Sequence, residues 1–392
     1  MNVRRVQDLD VRGKRVLVRE DLNVPMDGDA IADYTRVDAS IPTLQWLRDH
    51  GARTIVMSHL GRPDGKTVAA LSLRPLTAAL AQRLGAPVTF ANDCIGDQAR
   101  RAAAELKDGE VLLLENLRFH PEEERNDPQF AAQLARLGDV YVNDAFGTAH
   151  RAHASTEGVA HLLPSAAGFL MQRELEALSR LTDHPRKPFV CAIGGAKVKD
   201  KVGVFTHLME NVDAFCVGGG MANTFLAALG INVGTSLRDD DLQPAQDVVT
   251  LARERAVDLQ LPRDAVVAAS LDASDARIAE VDDVDGQMIL DIGPATARAY
   301  AGSIAQAKTI VFNGPMGVYE KPAYRAGTRV VLAAIADATA RGAVSVVGGG
   351  DAAAAAHLLG FSDAVSHVST GGGATLEYLE GKTLPGVAAL ER

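Results

Sequence analysis

The strongest constraint on this chain is a short, nearly continuous apolar run, rich in β-branched residues, that recurs with helical stretches between copies. Such runs occupy residues 16–18, 54–57, 111–114 and 140–142, then 189–192, 214–217, 266–268, 309–312, 343–347 and 365–368. A strand that is apolar on both sides must be covered on both faces, which parallel strands joined by helices achieve. The expected fold is α/β, with two doubly wound parallel-sheet (Rossmann-like) domains joined by a helix. A chain of 392 residues exceeds what one compact core usually holds, which agrees with two domains. Pro164 and Gly168 precede a helical pattern over residues 169–181, with Leu170, Leu175, Leu178 and Leu181 on one stripe. Asp183, His184, Pro185 and Pro188 then break the chain. This places a first domain at 1–168 and a second, including the joining helix, at 169–376.

In doubly wound folds ligands sit beyond the carboxyl ends of the strands, so the residues after each run carry the chemistry. In the first half these loops present Arg19, then His59 with Arg62, then Arg118, then Arg151, and Arg36 follows the first loop. Arginine offers a planar donor fork that matches carboxylate and phosphate oxygens, and several converging from different strands make a pocket for a small polyanion. Any one of them alone reads as a surface ion-pair partner, and His59 or His153 alone as a structural histidine.

The second half differs. Its strand ends give Gly194-Gly195-Ala196-Lys197 with Lys201 nearby, Gly218-Gly219-Gly220, Asn313-Gly314-Pro315-Met316-Gly317, Gly348-Gly349-Gly350-Asp351 and Gly371-Gly372-Gly373. Glycines at a strand-to-helix turn let backbone N–H groups approach phosphate, and the helix N-terminus adds partial positive charge. One glycine triplet is weak evidence; five glycine-bearing strand ends in one domain suit a nucleotide. The chain has no G-x-x-x-x-G-K-[ST] and no G-x-G-x-x-G with a suitably spaced acid, which argues against a P-loop enzyme and weakens a dinucleotide oxidoreductase. Asp351 can cap the helix that follows or hold Mg²⁺ beside the phosphates, and we favour the metal.

The formal net charge of −10 supplies no general field for nucleic acid or an anionic membrane. The N-terminal residues contain no apolar core of the kind that directs secretion, and the apolar runs stop short of a membrane span. Cys94, Cys191 and Cys216 are odd in number and set among apolar residues, so buried free thiols in the cytoplasm are expected.

Taken together and in order, residues 19–25, 58–63, 115–119, 150–156, 194–201, 312–317, 348–351 and 369–373 resemble the phosphoglycerate kinase family. The resemblance spans nearly the whole chain. It implies a first domain that binds 3-phosphoglycerate through Asp21, Asn23, Arg36, His59, Arg62, Arg118 and Arg151, with Arg19 in or near that basic patch. It implies a second domain that binds ATP through Lys197, Lys201, Gly218, Gly219, Asn313, Gly317, Glu320, Gly348, Gly349, Gly350 and Asp351, with Asp351 holding Mg²⁺. Arg36, Lys197, Gly371 and Gly372 would face the transferring group. It also implies that residues 377–392 return to the first domain, and a monomer fits a site built from two domains of one chain. The chain departs from the family pattern at Ala352, where Thr is usual, at Tyr319, where Phe is usual, and at Glu20, where an apolar or small residue is common. The alternatives from other classes are a dehydrogenase with two dinucleotide folds, and a binding module without turnover.

Overall fold

The computed structural model describes residues 3–28 and 30–391. Two six-stranded sheets dominate it. In the first, the spatial order is Val88–Phe90, Val111–Leu113, Arg53–Met57, Arg15–Arg19, Val140–Asn143 and Ser165–Ala167. In the second it is Asp258–Gln260, Ala214–Val217, Phe189–Ile193, Thr309–Asn313, Val344–Val347 and His367–Val368. Every pairing within these sheets is parallel. Numbered by chain order, the second sheet reads 3-2-1-4-5-6, so its switch point lies between Phe189–Ile193 and Thr309–Asn313, where a ligand crevice opens in this topology.

The apolar runs become strands because helices cover both faces: Val16, Leu17 and Val18 are all fully buried, as are Cys191, Ala192 and Ile193. Each sheet has its own core, one built around Val16, Val18, Val56 and Leu113, the other around Val190, Ile310, Phe312 and Val347.

The run at 266–268 is an exception. It belongs to the strand Asp264–Ala268 of a separate antiparallel sheet, between Arg277–Glu280 and Met288–Ile292. The outer strand of this sheet is solvated, with Ile278 60% exposed, and one-sided burial is what antiparallel pairing permits. The strands at Val88–Phe90, Ser165–Ala167 and Asp258–Gln260 escape the sequence reading because each has only three residues and a polar residue interrupts or opens it.

The chain forms two compact units, one reaching to Leu175 and resuming at Thr383, the other spanning Glu176–Lys382. The divide falls inside the helix Phe169–Thr182 rather than before it. The first half of that helix is held by the first unit. Met171 N–H donates to Asp144 Oδ1 at 2.9 Å, Phe169 N–H donates to Thr43 Oγ1 at 2.8 Å, and the Phe169 ring meets Trp46 edge-on. The C-terminal residues return to the same unit, where Gly386 N–H donates to Ala149 O at 2.8 Å and Asn143 Nδ2 donates to Gly386 O at 3.3 Å.

Candidate active site

In the first unit Arg19 stands in register with Met57 on one side and Asn143 on the other, so three loops leave the sheet at one level. Those loops, with the one after Val111–Leu113, bring most of the expected anion-binding residues together. Arg36, on the first turn of the helix Thr35–Asp49, pairs with Asp21 at 2.6 Å. Asn23 Oδ1 accepts from Gly61 N–H at 2.8 Å, and Arg118 Nη1 donates to Gly61 O at 2.9 Å, so both residues hold the turn that follows His59. Gly61 has φ +64° and Leu71 occupies the place of a side chain there, so the turn needs glycine. Arg118 also pairs with Glu124 at 3.1 Å, and Arg151 Nε lies 3.2 Å from His150 Nε2. Arg62 is exposed on the same turn.

The electrostatics are those of a cation cluster. Burial, then Arg19, Arg118 and Arg36, pushes His59 well below its ordinary value. Burial with Arg118, Arg19 and Arg151 takes His153 down to about 3. Burial, then Arg19 and Arg151, lowers Arg118, with Glu124 opposing. Neutral imidazoles among guanidinium groups leave hydrogen-bond donors and positive charge facing one region, which is what a small polyanion requires.

In the second unit the switch point is built on backbone. A Cβ on Gly194 would lie 1.9 Å from Pro315 O, and one on Gly314 would lie 2.3 Å from Gly194 O. The two turns therefore approach as closely as only glycine allows. Lys201 joins them: its Nζ donates to Gly194 O at 2.7 Å and Asn313 O at 2.6 Å. Burial lowers this ammonium to about 8, while the Asp351 charge works against the fall. Asn313 Nδ2 donates to Gly348 O at 2.8 Å and so ties in the third glycine turn.

Beside these turns lies a cavity of about 290 Å³, walled by Gly195, Gly219 and Gly220 on glycine turns and by Met288 and Leu290 from the antiparallel sheet. Gly317, Glu320 and Asp351 also line it. Lys201, Gly218, Asn313 and Gly348–Gly350 are not in its wall, while Lys197 is exposed on the loop that follows Gly194. Asp351 is exposed at the start of the helix Gly350–Leu358, whose N-cap is Gly349. Its carboxylate is therefore not the cap. Gly371 N–H donates to Ser369 Oγ at 3.1 Å, and Gly372, at φ +52°, caps the helix Gly373–Leu379.

The family description "Phosphoglycerate kinase" matches residues 6–382. The chain belongs to the phosphoglycerate kinase family. It is 55% identical over 388 residues to the phosphoglycerate kinase of Moorella thermoacetica, covering 98% of each chain, and 53% identical over 391 residues to that of Thermomicrobium roseum, covering 99% of each. The solved structure of phosphoglycerate kinase from Coxiella burnetii superposes with a TM-score of 0.91 at 42% identity, covering 99% of this chain and 98% of that one. Phosphoglycerate kinases transfer a phosphoryl group between 1,3-bisphosphoglycerate and ADP in glycolysis, and this chain is a kinase of that kind, acting on small-molecule substrates.

Within the family frame the three departures have distinct settings. Ala352 is 1% exposed and packs in the core of the second unit. Tyr319 lines the cavity of the second unit. Glu20 is fully buried beside Asp144, with neither carboxyl oxygen hydrogen-bonded. The sequence reading missed Met288 and Leu290, which reach the cavity only through the antiparallel sheet; the apolar run 288–290 before Gly293-Pro294 was the available signal, since Pro at the first helical position marks a helix start. It also missed Glu123, which sits in the acidic run 122–124 that reads as solvated yet is itself fully buried.

Proposed function

We propose that the first unit holds 3-phosphoglycerate, that the second holds ATP or ADP with Mg²⁺, and that the two units close about the helix Phe169–Thr182 before an in-line transfer. The observation that carries this reading is the chemical contrast between the two sets of strand ends. One presents Arg36, His59, Arg62, Arg118 and Arg151 with no glycine cradle. The other presents glycine turns, Lys201 and an apolar cavity. A small polyanion suits the first, and a nucleotide with a flat apolar base suits the second.

The attacking group is the substrate's own carboxylate, ionised at neutral pH because carboxyl groups titrate near 4. The site thus requires no general base; it requires alignment and charge neutralisation. Asp21, Asn23, His59, Arg62, Arg118 and Arg151 would hold and orient the phosphoglycerate. Arg36 and Lys197 would face the moving phosphoryl group, and the amides after Gly371 would donate to its oxygens. Lys201, already desolvated, would give its charge to nucleotide phosphate. Gly218 and Gly219 would lie along the base, Glu320 would take ribose hydroxyls, and Asn313, Gly317 and Gly348–Gly350 would shape the phosphate turn.

Asp351 fits a magnesium ligand by its donor chemistry. It is an exposed hard-oxygen carboxylate at the cavity edge, and Mg²⁺ characteristically takes one or two carboxylates together with phosphate oxygens and water. Bound there, Mg²⁺ would neutralise phosphate charge. No helix among the described residues is long and apolar enough to cross a membrane, and we place the enzyme in the cytoplasm as a monomer. The test is a coupled assay with 3-phosphoglycerate, ATP and Mg²⁺, in which a dehydrogenase consumes the product with NADH. Turnover that depends on Mg²⁺ and is lost in Arg36→Ala supports the reading. Turnover retained in Arg36→Ala would remove that residue from the site.

A further inference from the structure

The sequence places Arg19 in or near the basic patch, and the fold sets it against His59 with its side chain turned into the unit. Arg19 is 0% exposed, so its guanidinium has no surface to offer a ligand, and all of its charge is spent inside the unit. Its Nε donates to Ser155 Oγ at 2.9 Å, its Nη1 donates to the backbone carbonyl of Glu20, and its Nη2 lies 3.1 Å from His59 Nδ1. Ser155 is anchored in turn. Its hydroxyl donates to Glu123 Oε1 at 2.5 Å and its N–H donates to Glu123 Oε2 at 2.9 Å. Glu123 and Ser155 are both 0% exposed and His59 is 3% exposed. Four buried polar side chains from four segments of the first unit thus form one line: Glu123, Ser155, Arg19, His59.

The directions along that line are forced. The single Ser155 proton goes to Glu123, which leaves an oxygen lone pair for Arg19 Nε. A guanidinium has donors only and does not deprotonate, so the nitrogen it faces on His59 must accept. Nδ1 is therefore bare and the imidazole proton sits on Nε2. The groups facing His59 from the other loops, Arg118, Arg36 and His153, add positive field or a second neutral ring, and burial adds to them. None of them favours an imidazolium.

We propose that Arg19 is a positioning residue for the phosphoglycerate site: held by the buried Glu123–Ser155 pair, it locks His59 as the neutral Nε2–H tautomer, so that His59 meets an anionic substrate as a donor of fixed direction. This rests on the assignment of His59 to phosphoglycerate. The consequence is chemical. A neutral donor binds an anion without taking up a proton, so the site can recognise phosphoglycerate oxygens across neutral pH while the surrounding arginines carry the charge. The arrangement also accounts for a fully buried arginine: each of its three guanidinium nitrogens meets an acceptor, and such a network fixes geometry.

The test uses the full-length protein labelled with ¹⁵N-histidine, with the His59 ring signals assigned by their loss in His59→Asn. The expected wild-type pattern is that of the Nε2–H tautomer, unchanged from pH 8 down to pH 5. In Ser155→Ala, which leaves Arg19 without its anchor, the pattern becomes a tautomer mixture, and KM for 3-phosphoglycerate rises roughly fivefold to tenfold with kcat within about twofold, the size of one lost hydrogen bond. Ser155→Thr, which keeps the hydroxyl, restores the single tautomer. A wild-type His59 that rests as the Nδ1–H form, or titrates near the ordinary histidine value, overturns the proposal without any need for a folded variant. An unchanged KM in His59→Gln, with the wild-type tautomer as expected, overturns only the assignment of His59 to substrate and leaves the lock supported.

Discussion

The closest backbone approach in the second unit can be probed by one methyl group. In Gly194→Ala the new Cβ would lie 1.9 Å from Pro315 O, 2.8 Å from Pro315 C and 3.0 Å from Gly314 O. All three atoms are backbone, so no side chain can swing aside. The turn after Thr309–Asn313 must retreat by about 1 Å, and an insertion of this kind into a tightly packed site costs about 1–3 kcal/mol. The same retreat pulls apart the bridge that Lys201 makes between Gly194 O and Asn313 O, at the cost of one of its two bonds. Each such bond to a charged donor contributes about 1.5–3 kcal/mol, so the total loss is roughly 3–6 kcal/mol with one of the two bonds broken. For a unit of this size each kcal/mol moves the midpoint by about 2–4 °C. Calorimetry should therefore show the Glu176–Lys382 unit melting roughly 6–24 °C lower, with nucleotide affinity weakened in titration calorimetry. Gly302→Ala is the control. It lies inside the helix Pro294–Gln306 with nothing within 4 Å of the added methyl, and should stabilise by about 0.5–1 kcal/mol. If Gly194→Ala melts within about 2 °C of wild type and binds nucleotide equally well, the two turns are not in the contact described, and the reasoning fails.

Three further outcomes are expected. Glu20→Val should stabilise the first unit, since it removes a fully buried carboxyl with no hydrogen-bond partner; such orphaned groups cost about 1–3 kcal/mol. Burial first, then the neighbouring Asp144, raises the Glu20 carboxyl well above its ordinary value. A raised carboxyl favours the folded state at low pH and loses that contribution as pH climbs through the folded value, so urea midpoints should show a larger gain from Glu20→Val at pH 8 than at pH 5, and an equal gain at both would refute the assignment. Lys197→Ala should lower kcat by at least about 100-fold while the Kd for 3-phosphoglycerate changes little, as for a group that acts on the transferring phosphoryl; equal kcat in the two proteins would remove Lys197 from that role. Asp351→Asn should shift the Mg²⁺ activation curve to at least about tenfold higher concentration, with 3-phosphoglycerate binding intact, and an unshifted curve would move the metal ligand elsewhere.

The sequence alone makes most of the sheet strands legible, together with the residue types at their ends. Continuous apolar runs favour strands covered on both faces, and the arginine-bearing and glycine-bearing turns raise the expectation of anion and nucleotide sites through residue type alone. The helix 169–181 was legible to within a residue of Phe169–Thr182 because its leucines keep helical period. The remainder depends on long-range pairing, which local pattern does not carry. The run at 266–268 is as apolar as its neighbours, and only its pairing with Arg277–Glu280 and Met288–Ile292 sends it to an antiparallel sheet. Arg19 and Arg118 look alike as residues after strands and both are buried, yet the fold turns one inward to Ser155 and His59 and sets the other at the turn of Gly61. Glu123 sits between two acids in the chain, and the fold alone, by covering it completely, makes it the anchor of a buried network while Glu122 and Glu124 stay at the surface.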